Sequence, residues 1–91
     1  MQIIDASAVN QVLSFETLIP AIKKTFQQTF GMPQRQMYPL PGGTVDKHDT
    51  FAVLPAWTEE VLGVKSFTHY PENPQKGLLT VAAQVLLYPN A

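Results

Sequence analysis

The sequence predicts an α+β fold, two N-terminal helices packed on a mixed, mainly antiparallel β-sheet, and three observations predict it. Behind Ser14, the residues Phe15, Leu18, Ile19, Ile22, Phe26 and Phe30 recur at three- and four-residue spacing, the stripe of an amphipathic helix. After Gly31 the chain turns to short segments rich in Val, Thr, Phe and Tyr, separated by Pro and Gly. Charged residues are only 14% of the 91, against 45% apolar, so part of the apolar surface is expected to meet a second chain or another domain. Helices first and strands after is the ordering of a sheet covered on one face by helices.

Each element has its own signal. Gln2–Ile4 reads as a brief strand, and Asp5 or Ser7 can cap a short first helix through Val9, Val12 and Leu13. Ser14 caps the second helix, with Glu16 favourably placed in its first turn, and Gly31 and Pro33 end it. Pro20 lies inside this stripe, where it removes one backbone bond and should bend the helix. Residues 34–40 form a strand, Pro41-Gly42-Gly43 a turn, and residues 44–49 the tip of a connection. Residues 50–55, 61–70 and 78–88 are β segments, the last two separated by the turn-forming run 71–77. A final strand with no following partner presents an unpaired edge, which a dimer or a downstream segment would cover. The 91 residues are enough for one domain at most.

Composition excludes several classes of function. Net charge is −1 with six scattered basic residues, which gives no stripe for nucleic acid and no polybasic patch for a membrane. With no cysteine, disulfides and thiolate chemistry are excluded. The start of the chain lacks the basic and apolar regions of a signal peptide, and a cytoplasmic location is the expectation. His48 and His69 are far apart and have no acidic cluster beside them, so no metal is expected. No glycine-rich phosphate loop occurs, and no cofactor is expected to bind these residues.

Three polar residues remain as candidates. Arg35 stands in a weakly charged segment, and Lys65 lies mid-strand on the face shared with Phe67 and His69. Thr80 follows in the next segment, where antiparallel pairing through the 71–77 turn could bring it near Lys65. An arginine fork and a lysine point charge suit a carboxylate, and a desolvated lysine can also move a proton. Each also has an ordinary reading, as a solvated edge cation or a β-branched strand residue. Tyr38, Trp57, Phe67 and Tyr70 read first as core or interface aromatics.

The series Leu54-Pro-Ala-Trp57, Leu62-Gly-Val-Lys-Ser-Phe-Thr68, Pro71-Glu-Asn73 and Gly77-Leu-Leu-Thr-Val81 resembles one family in order and spacing. Together with residues 3–9 and 35–39, it is similar to the N-terminal domain of ornithine cyclodeaminase/mu-crystallin proteins. Leu79 stands where that family usually has proline, and the polar stretch 44–49 is longer than in several relatives. The resemblance implies a mixed substrate and dimerisation domain beside a dinucleotide-binding domain, with two subunits joining their sheets. It implies NAD(P)-linked chemistry on amino or imino acids for a full-length member: cyclodeaminases, ketimine reductases and amino-acid dehydrogenases. Arg35 matches the arginine that grips the substrate carboxylate, Lys65 the active-site lysine that contacts substrate, and Thr80 a threonine near substrate and nicotinamide.

The expectation is therefore a substrate-side domain that forms a dimer or higher homo-oligomer, binds a small amino or imino acid, and is inactive alone. Whether the chain is itself an enzyme stays open at this point. The alternative is a non-catalytic dimerisation or small-carboxylate-binding module on the same sheet.

Overall fold

The computed structural model describes residues 1–41 and 48–91. Helices α1 (Ala6–Val12) and α2 (Phe15–Phe26) precede strands β1 (Phe30–Gly31), β2 (Gln36–Pro39), β3 (Thr50–Thr58), β4 (Val61–His69) and β5 (Val81–Pro89). The expected turn at Gly42-Gly43 and most of the polar run after it lie outside the described residues.

Local chemistry starts each helix. The Asp5 carboxylate accepts the Ala8 N–H at 2.9 Å and caps α1. Ser14 and Thr17 form a reciprocal capping box at the start of α2. Glu16 in its first turn and Lys23 and Lys24 in its last oppose the helix dipole. Pro20 is accommodated inside the helix.

Two expectations need correction. The second helix ends at Phe26 rather than running to Gly31, because Phe30 leaves the helix to pair with Thr58. Its ring meets Phe26 edge-on, with centroids 5.6 Å apart, so the apolar period continues across the break without the helix. Gln2–Ile4 form no strand; no described strand runs beside them to supply the ladder.

The sheet runs β1–β3–β4–β5, with β2 pairing the same side of β3 as β1, and every described pairing is antiparallel. Strand β3 continues through Pro55 to Thr58. Strand β1 pairs with Trp57 and Thr58 and β2 with residues 50–53, which leaves Leu54–Ala56 without a strand on that side. Pro55 falls in this gap, where a residue without an N–H disturbs the ladder least. The β4–β5 connection is a 3₁₀ turn, Asn73–Lys76, closed by Gly77 in the left-handed region at φ 72°. The Asn73 side-chain amide donates to the Leu79 carbonyl at 2.9 Å, while the Asn73 carbonyl accepts from Leu78 N–H at 3.0 Å.

Alternation along these strands leaves the sheet apolar on both faces. One face carries Met37, Leu54, Phe67, Val85 and Leu87, and the other Phe51, Val53, Trp57, Leu62 and Leu86. A sheet of this kind is stable only when both faces are covered. Here Ala52 is the one buried hydrophobic residue among those described, and α1 and α2 bury none of theirs. The chain exposes 7840 Å², against roughly 5,300 Å² for a compact monomer of its mass. Its radius of gyration is 16.2 Å, where about 12 Å is usual for this length. The surplus surface is comparable to what one subunit contributes to a large obligate interface.

Two substitutions test this description. A Cβ at Gly31 would overlap the indole of Trp57, the chain's single tryptophan. Gly31→Ala is expected to shift Trp57 fluorescence and to cost about 1–3 kcal/mol in denaturant titration. Asn73→Ala is expected to cost about 0.5–1.5 kcal/mol and to speed amide exchange at Tyr70 and Leu78 more than in the β3–β4 ladder.

Candidate functional site

The central ladder decides where the candidate side chains stand. In β4, Lys65 pairs with Leu54 of β3 on one side and Val85 of β5 on the other. Arg35 immediately precedes β2, whose first pair is Gln36 with Val53. Arg35 itself lies outside the ladder; extending the register by one residue sets it level with Leu54 and with the row that contains Lys65. Two strand spacings separate the two backbones, roughly 10 Å. The Lys65 side chain leans along β4 toward Phe67, so a carboxylate between the two cations would bridge the remaining gap.

Both cations are exposed, and neither is engaged by a carboxylate of the described residues. The ammonium of Lys65 instead lies 5.6 Å from the centroid of the Phe67 ring, two residues along on the same face. An arginine and a lysine held in one row can receive a single carboxylate, the guanidinium by two parallel hydrogen bonds and the ammonium by one.

Thr80 is not brought beside them. It precedes β5, and its carbonyl accepts the Tyr70 N–H at 2.8 Å, which sets it opposite Tyr70 rather than Lys65. The partner of Lys65 in that ladder is Val85, five residues further on and about 17 Å along the strand. The antiparallel pairing expected from the sequence is present, but its register separates the two residues. Thr80 is half-buried, and the turn braced by Asn73 fixes the chain just before it.

Two features escape the sequence reading. Phe67 had an ordinary reading as a core aromatic, although its place two residues from Lys65 already put both on one face. An open apolar hollow of about 280 Å³ lies where the end of α2 meets the sheet, lined by Phe26, Phe30, Trp57, Val61 and Leu87. It depends on the long-range pairing of β1 with the end of β3, which no local pattern reveals. Among the described residues no three His, Asp or Glu side chains cluster as metal ligands do, and no helix is long and apolar enough to cross a membrane.

Comparison with known proteins agrees with this architecture. The chain is 51% identical over 76 residues to a Delta(1)-pyrroline-2-carboxylate reductase of Colwellia psychrerythraea, a match covering 84% of this chain and 24% of the relative. The fold resembles the Thermococcus litoralis Delta(1)-pyrroline-2-carboxylate reductase solved with NADH and L-proline. That match has a TM-score of 0.81 and 23% identity, over 98% of this chain and 28% of that one. It also resembles an archaeal alanine dehydrogenase dimer with bound NAD, at a TM-score of 0.74 and 21% identity, over 92% of this chain and 26% of that one. The chain thus spans about a quarter of the length of these relatives. The family model for ornithine cyclodeaminase/mu-crystallin proteins matches residues 1–90, and the chain belongs to that family.

Proposed function

We propose that this chain is the substrate-side part of an NAD(P)-linked reductase that acts on a small imino-acid carboxylate of the pyrroline-2-carboxylate type. The observation that carries the reading is a pair of exposed cations, Lys65 in β4 and Arg35 just ahead of β2, unengaged by any described carboxylate. The identity to a curated pyrroline-2-carboxylate reductase supports the substrate class.

In this reading Arg35 grips both carboxylate oxygens and Lys65 adds a third charge-assisted bond, which fixes the imino carbon relative to the sheet. Lys65 is also placed to exchange a proton with the substrate. Thr80, opposite Tyr70 and five residues from the partner of Lys65, is too far along the sheet to touch a substrate held at Lys65, and no contact is assigned to it. NAD(P)H, when bound in a longer protein, supplies the hydride. The 91 residues contain no glycine-rich strand-to-helix turn of the kind that seats a dinucleotide, so no part of hydride transfer is assigned to them.

Exposed cations bind a carboxylate weakly, because water and salt screen them. The same row beneath a covering surface binds far more strongly. The chain is therefore proposed to self-associate through its apolar sheet surface, with the cover that stabilises the sheet also drying the site.

The test is L-proline binding to the chain by calorimetry. Arg35→Ala and Lys65→Ala are each expected to weaken it about ten-fold or more, the scale of a lost charge-assisted hydrogen bond. Binding unchanged in both variants would contradict the carboxylate assignment.

A further inference from the structure

We infer that Phe67 is a positioning residue for Lys65, holding the ammonium over its ring so that the cation is already placed when a carboxylate arrives. The inference rests on the reading of Lys65 as a carboxylate contact and goes beyond it, because it concerns how a flexible side chain is fixed before binding.

Lysine carries a four-carbon stem whose rotamer freedom opposes any fixed geometry. A strand-borne lysine on an open face would ordinarily sweep through solvent. Here Lys65 Nζ lies 5.6 Å from the Phe67 centroid, within the range of a cation–π contact. Strand alternation supplies the geometry, since residues 65 and 67 are consecutive on one face of β4.

The neighbours of Phe67 leave its ring accessible. It pairs with Ala52 on β3 and Ala83 on β5, so a small side chain stands on each side. Lys65 itself pairs with the larger Leu54 and Val85, which flank its stem and favour a lean along the strand. A ring occupies one side of the ammonium and leaves its other hydrogens for an incoming oxygen. The ring is neutral, so it orders the cation without neutralising it, as a carboxylate partner would. Pre-ordering of this kind reduces the entropy lost on binding.

The experiment uses the full chain with lysines labelled at Cε, the Lys65 signal being assigned by its disappearance in Lys65→Arg. The ε-methylene protons of Lys65 are expected upfield of those of the other four lysines, through the ring current of Phe67. They should join the other four in Phe67→Leu and remain displaced in Phe67→Tyr. L-proline affinity should fall about two- to five-fold in Phe67→Leu, the range an exposed cation–π contact is worth, and be retained in Phe67→Tyr.

A wild-type Lys65 signal that sits with the other lysines overturns the proposal, whether or not the leucine variant folds. So does a folded Phe67→Leu chain that binds L-proline as tightly as wild type while Lys65→Ala weakens binding. If Lys65→Ala has no effect, the carboxylate reading fails instead, and the displaced signal reports the ring contact independently of it.

Discussion

The β3–β4–β5 ladder presents apolar side chains on both of its faces, and the rest of the structure depends on how those faces are covered. Backbone pairing alone does not stabilise such a sheet, because its hydrogen bonds largely replace bonds to water. The favourable term is burial, and Ala52 is the only buried hydrophobic residue among those described. Strand β5 adds to the need. It is exposed along its whole length, carries no charged residue and pairs only with β4 among the described strands. Edges of that kind are normally paired or covered.

The same constraint shapes the candidate site. Arg35 lies just ahead of β2, near the level of Lys65, and the Phe67 ring beside Lys65 places a cation on an apolar surface. In water such a cluster discriminates little between anions. Beneath a second surface it becomes a carboxylate clamp in a low-dielectric setting, where its charges count for more. Covering the sheet and completing the site are thus one event in this account. The apolar hollow beside α2 belongs to the same uncovered surface.

Much of this was legible in the residues. The caps at Asp5 and Ser14, the β4 alternation and the turn ending at Gly77 are local signals, and each element appears where its signal lies. The end of α2 was not legible, because Phe30 satisfies the helical period and only its long-range pairing with Thr58 takes it into the sheet. The position of Thr80 was not legible for a related reason. Residues 71–80 include a braced 3₁₀ turn, and its length sets the β4–β5 register five residues away from the pairing that would join Thr80 to Lys65. The cationic row was only half visible. Alternation gives the face of Lys65 from sequence, but the strand pairings that bring Arg35 level with it are known only from the fold.

The central claim, that this sheet requires a covering surface to be stable, is tested most directly by light scattering over a dilution series with circular dichroism on the same samples. The account predicts that β structure is found only in assemblies of two or more copies and is lost as they dissociate, with folding tied to association. A dilute monomer that keeps its β signal and melts cooperatively would contradict it, because the exposed faces would then need no partner.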